Sequence, residues 1–226
     1  LNDKSEYIYA SKNVPSWPII VTDMPLTLRN SATIPDSYKV QGSIGKGRIT
    51  EVPWLGIFDK EITETAQDGF YIVILFNADM TGIHLSLGQG WTQFETVYGA
   101  RLGRDKIIAN ARLAVSRLQT LPTDCHLGIL NLKAKGGLGK GYERGNIASY
   151  YYPVDSLPDE EKFAYDIKKL MKPYSELKSL VGRNILNLTA TPSDEVFQNA
   201  VQEASSTTTP EGPVPVKTED KYPKSQ

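Results

Sequence analysis

Gly69-Phe70-Tyr71-Ile72-Val73-Ile74-Leu75-Phe76 is the stretch on which the fold turns. A run of seven apolar residues rich in β-branched and aromatic side chains is too short for a typical globular helix and reads as a strand buried on both faces. Upstream, residues 52–58 read as a second buried strand, and residues 38–43 as a third that runs into the turn Gly45-Lys46-Gly47. Downstream, residues 82–87 alternate apolar and polar, the period of a half-buried strand, and residues 146–152 supply another. Residues 106–118 place Ile107, Ala111, Ala114, Val115 and Leu118 on one stripe, with Arg112 and Arg117 outside it, so an amphipathic helix should cover one sheet face. Residues 159–170, opened by Pro158, read as a second helix that Pro173 should interrupt. There is no internal repeat. The expected fold is α/β in the α+β sense: a mixed β-sheet flanked by helices.

The chain has 226 residues, 40% of them hydrophobic and 23% charged, which suits a binding domain and an enzyme equally well. Its apolar runs fall far short of the roughly 20 residues a membrane-crossing helix needs, and the first residues lack a signal-peptide pattern. A lone cysteine, Cys125, can form no internal disulfide and stands outside any metal-ligand spacing, which fits a reducing, cytoplasmic compartment in a bacterium or archaeon. The net charge of −1 conceals an uneven distribution. From Ala190 onward the chain is acidic, while the body is slightly basic, with clusters at Arg101, Arg104, Lys106, Arg112 and Arg117 and at Lys133, Lys135, Lys140 and Arg144. Residues 205–226, rich in Ser, Thr, Pro and charge, bury too little to offset their ordering entropy. The expected organisation is a domain over residues 1–188 and a disordered linker over 189–226 leading toward an effector domain.

Gly42-Ser43-Ile44-Gly45-Lys46-Gly47 resembles a phosphate-cradling loop, but Gly47 stands where a Walker loop needs Ser or Thr, and the residues that follow read as strand. Two readings remain: a tight turn between strands, or a basic tip inserted into a nucleic-acid groove. Gly136-Gly137-Leu138-Gly139-Lys140-Gly141-Tyr142-Glu143-Arg144-Gly145 is the most unusual stretch. It is either a flexible surface loop or a DNA-gripping loop whose cations neutralise phosphates while Tyr142 offers a ring to a base. His84 and His126 are too few for a histidine-rich metal centre, and Cys125-His126, being adjacent, cannot act as nucleophile and base, so structural roles are expected. Glu61, Glu64 and Asp68 form no nuclease D…ExK pattern, no HNH pattern stands out, and these carboxylates read as solvated. No catalytic residue, metal site or cofactor is expected. Trp54, ahead of an apolar run, would by default be a core residue.

Taken together, Val40-Gln41-Gly42-Ser43-Ile44-Gly45-Lys46-Gly47, Val52-Pro53-Trp54-Leu55-Gly56-Ile57-Phe58, the stretch from Gly69, and Leu85-Ser86-Leu87-Gly88-Gln89-Gly90-Trp91 resemble the N-terminal domain family of McrB. The likeness is densest over residues 40–93 and resumes more weakly around Tyr142 and after Pro158. It implies a recognition domain, with no chemistry of its own, from a modification-dependent (type IV) restriction system that serves in phage defence. Its partner would be double-stranded DNA carrying 5-methylcytosine or 5-hydroxymethylcytosine, with a nuclease or GTPase domain or subunit as effector and no membrane. The resemblance also implies that the modified cytosine is flipped out and stacked between Trp54 and Tyr142, with Tyr71 and Leu75 as pocket walls. Ser43, Gly45, Lys46, Gly47, Arg48, Lys133, Lys135, Lys140 and Arg144 are the expected DNA contacts. Lys46 departs from the family's type member, in which an aromatic from this turn fills the space the base leaves. The alternatives are a nuclease fragment with an unrecognised centre and a protein-interaction domain of a defence complex.

Overall fold

A computed structural model describes residues 12–188; the expected linker over 189–226 lies outside the described residues. Among the described residues a helical stretch comes first, through Ser16–Pro18, a π-helical turn at Ile19–Asp23 and α1 (Met24–Ser31). Strands β1 (Tyr38–Ser43), β2 (Trp54–Asp59), β3 (Phe70–Phe76) and β4 (Gly82–Gln89) follow, then α2 (Trp91–Arg117) and the short β5 (His126–Leu127). Helix α3 (Gly137–Arg144), β6 (Asn146–Pro153) and α4 (Glu160–Val181) complete it.

The six strands lie in the order β1-β2-β3-β4-β6-β5. The α+β class holds, but every pairing is antiparallel, so the sheet is not mixed. The reason is connectivity. β1 to β4 are joined by connections that turn straight back to the neighbouring strand, and α2 leads into strands that also pair antiparallel, leaving no parallel crossover.

Alternation along the strands divides the core. One face carries Leu55, Ile57, Ile72, Ile74, Leu85 and Leu87, which pack with Ile107, Ala111 and Ala114 of α2 and Ile167, Leu170 and Leu177 of α4. The other carries Phe58, Tyr71, Val73 and Leu75, which pack with Leu130, Leu132, Ala134 and Tyr142. β3 is thus buried on both sides, as its continuous apolar run requires. β4 is buried too, although its alternation suggested one solvated face. Ser86, on the polar side, is fully buried and donates to Asn146 Oδ1 at 2.7 Å, so its hydroxyl is satisfied inside the protein and not by water.

The helices also differ from expectation. α4 is capped by Asp159, whose carboxylate accepts the Lys162 N–H at 2.8 Å, and it continues past Pro173 to Val181. Proline removes one helical hydrogen bond, yet Ala164, Ile167, Leu170, Tyr174, Leu177 and Val181 keep a single buried stripe on both sides of it, so packing overrides the break. α2 starts well before residue 106 and contains a non-helical joint at Gly99 (φ 74°), a backbone conformation that favours glycine.

Candidate nucleic-acid interface

Trp54 opens β2, in register with Ser43 on β1 and Leu75 on β3. It is half-buried, with its ring edge-on to Phe58 (centroids 6.1 Å apart, planes at 82°), and Phe58 leans on Tyr71 at 5.0 Å. Tyr142 comes from α3 and is 8% exposed. Burial pushes its phenol up to about 12, while the neighbouring Trp54 side chain acts the other way. Tyr71 is buried, its hydroxyl donating to the Ala66 carbonyl at 2.8 Å, and burial raises its pKa well above the ordinary phenol value.

These residues meet at a cleft of about 630 Å³ on the α3 side of the sheet. Trp54 and Tyr142 line it, together with Lys39, Gln41, Ser43, Thr65 and Gln67. Tyr71 and Leu75 do not. They belong to the buried cluster beneath Trp54 and Tyr142 and shape the cleft from below. Trp54 is therefore neither a plain core residue nor a surface one. A second cleft, of about 380 Å³, opens on the opposite sheet face, beside Leu55 and Ile74; it carries Asp23, Asp159 and Glu160 and no cation, which ill suits a polyanion.

The turn after β1 reaches the same cleft. Gly45, at φ 119°, has no room for a side chain: a Cβ would stand 2.1 Å from the Arg48 carbonyl oxygen. The turn is closed by the Thr50 N–H on the Ile44 carbonyl at 2.7 Å and by the Gly45 N–H on Ser43 Oγ at 3.1 Å. Ser43, Gly45, Lys46 and Arg48 border the cleft, and the Lys46 and Arg48 side chains are exposed. Gly47 sits at the exposed tip.

The glycine-rich stretch is not a loop. It folds as α3, and its glycines serve helix packing: a Cβ on Gly141 would come within 2.3 Å of Trp91 Cγ, and one on Gly139 within 2.5 Å of the Ala134 methyl. That packing redirects some of its cations. Lys140 Nζ lies 2.7 Å from Oε2 of Glu143, a buried carboxylate whose other oxygen takes the Leu132 N–H at 3.0 Å. Arg144 donates to the Lys140 carbonyl and lines a separate cleft with Arg112, Leu127 and Ile129. Lys133 and Lys135 are exposed on the segment entering α3. Lys133, Lys135, Lys140 and Arg144 thus do not line the cleft, and the last two have work elsewhere.

Several lining residues went unnoticed in the sequence. Lys39 and Gln41 could have been found, because they alternate with Ser43 on the face of β1 that Trp54 shares. Lys39 Nζ holds the Glu64 carbonyl at 2.8 Å and so ties β1 to the segment of Thr65, Ala66 and Gln67. No local pattern announces that segment. The carboxylates read as solvated are partly engaged: Glu61 pairs with Lys178, and Asp68 accepts from the Thr63 hydroxyl. His84 is buried against Tyr151, and burial, reinforced by His126, lowers its pKa to about 4.

The sequence model of the family described as MrcB-like, N-terminal domain, matches residues 3–179. The chain belongs to this family. No curated protein matches the chain. MrcB-like N-terminal domains are DNA-binding and non-catalytic, and the match extends well beyond the motif-dense residues 40–93 at both ends. Among the described residues, no group of three or more His, Cys, Asp or Glu could hold a metal ion, and no helix is long and apolar enough to cross a membrane.

Proposed function

We infer that this MrcB-like domain reads 5-methylcytosine or 5-hydroxymethylcytosine in double-stranded DNA by everting the base into the cleft between Trp54 and Tyr142. The observation that carries the reading is the convergence of two rings from distant parts of the chain on one cleft bordered by Lys46 and Arg48. Its volume falls in the range of roughly 300–1,000 Å³ typical of small-molecule sites. Cations supply affinity for any duplex, and the rings supply discrimination.

Energetically, stacking on an aromatic returns about 1–3 kcal/mol per base. A methyl group adds about 0.8 kcal/mol where it is fully buried, a modest but real preference over cytosine. Lys46, in place of a space-filling aromatic, can hydrogen-bond the orphaned guanine or a phosphate. The domain would act for a nuclease or GTPase effector in a cytoplasmic restriction system.

The test is a binding comparison on one duplex bearing cytosine, 5-methylcytosine, 5-hydroxymethylcytosine or N6-methyladenine, with pyrrolo-cytosine fluorescence reporting eversion. Equal affinity for all four duplexes, with no fluorescence change on binding, would reject the reading. Magnesium-dependent cleavage by the chain alone would favour a nuclease instead.

A further inference from the structure

Glu51 stands three residues before Trp54, in the same connection as Lys46 and Arg48, where a negative charge opposes the attraction of DNA. Its carboxylate spans to the start of α3. One oxygen accepts the Lys135 N–H at 2.7 Å and the other the Gly136 N–H at 2.8 Å. Gly136 occupies the N-cap position of α3 with extended backbone, and as a glycine it has no side-chain oxygen to offer the free N–H groups there. A carboxylate reaching in from another part of the chain instead takes the N–H of the N-cap residue and of the residue before it, as the glutamate of a capping box takes the N-cap N–H, in charge-assisted bonds favoured further by the helix dipole. The approach is close, since a Cβ on Gly136 would lie 3.1 Å from Glu51 Oε2.

We propose that Glu51 is a positioning residue that docks α3 against the start of β2 and so sets the gap between Trp54 and Tyr142. The proposal rests on the base-pocket reading above. Glu51 lines no part of the cleft and touches no base; it acts through the helix that carries Tyr142. This role has a signature that a general stabilising contact lacks. Removing the charge should weaken discrimination while leaving attraction to plain DNA intact or stronger, because a like charge has been taken away from the polyanion.

The experiment uses the full chain carrying Glu51→Gln, with Glu51→Asp and Trp54→Ala measured in parallel. The probes are one duplex with cytosine or 5-methylcytosine at a single position, and the readouts are both affinities, amide exchange over residues 135–142 and thermal melting. Glu51→Gln keeps the shape but loses the charge and one acceptor, so the preference for the modified duplex, about fourfold from one buried methyl group, should fall most of the way to parity. Affinity for the plain duplex should hold or rise, exchange over 135–142 should quicken while β3 stays protected, and Glu51→Asp should recover part of the preference. If Trp54→Ala abolishes the preference and Glu51→Gln leaves it at the parental value, the positioning role is overturned and the pocket stands. If the parent shows no preference, or Trp54→Ala does not change it, the base-pocket reading falls and the proposal with it. A loss of melting temperature and of both affinities together, in Glu51→Gln and Glu51→Asp alike, would make Glu51 a general element of the fold and overturn the proposal as well.

Discussion

Replacing Tyr142 by phenylalanine separates the ring from the hydroxyl and so separates stacking from any polar contact of the phenol with a base. The ring of Tyr142 packs with Val73, Leu75 and Leu132 and lines the cleft, and phenylalanine keeps all of that area. The change removes only the hydroxyl beside the Trp54 side chain. Trp54 is half-buried, so its N–H can turn to water, and the cost to folding should not exceed the net worth of one hydrogen bond, about 1 kcal/mol. For a domain of this size that is a fall in Tm of at most about 2–4 °C. Binding should hardly move, because phenylalanine offers a base the same ring face. Tyr142→Ala should instead lose the stacking surface, costing about 1–3 kcal/mol of affinity for the modified duplex. Calorimetric melting with fluorescence-anisotropy titration on plain and 5-methylcytosine duplexes measures both quantities. If Tyr142→Phe lost as much affinity for the modified duplex as Tyr142→Ala, the hydroxyl would be a contact to the base and the stacking argument would be refuted.

Three further outcomes follow from the geometry. Lys46→Ala and Arg48→Ala should each weaken plain and modified duplexes alike and lower the salt slope of binding by about 1, whereas Lys140→Ala, whose ammonium is already held by buried Glu143, should lower Tm with little change in slope. Gly141→Ala places a methyl against Trp91 and should cost about 1–3 kcal/mol of stability as overpacking, with discrimination weakened because α3 must shift; an unchanged Tm would contradict this packing. Burial keeps His84 neutral down to about pH 4, while the unfolded chain takes up the proton near pH 6.5, so its contribution is complete at pH 7 and is lost as pH falls from about 6.5 to 4, at most about 3 kcal/mol. Denaturant titrations across that range should show the loss, and His84→Phe should flatten it.

The sequence by itself determined the strands and the family. The uninterrupted apolar run at residues 70–76 could only be satisfied between two packed layers, and the alternation on β1 already placed Lys39, Gln41 and Ser43 on one side. Trp54 and Tyr142 were legible through the motifs around them, although nothing local showed that their side chains meet. Tertiary structure alone decided what the glycines between residues 136 and 145 are for. Glycine density favours a loop by backbone entropy, and that preference was overridden because only residues without side chains let α3 lie against Trp91 and Ala134. The same packing pairs Lys140 with Glu143 and sends Arg144 to another cleft, so cations that are neighbours in sequence meet different surroundings in space. The grip of Glu51 on the head of α3 depends on two segments more than eighty residues apart meeting within hydrogen-bond distance, and no local periodicity or propensity encodes such a meeting.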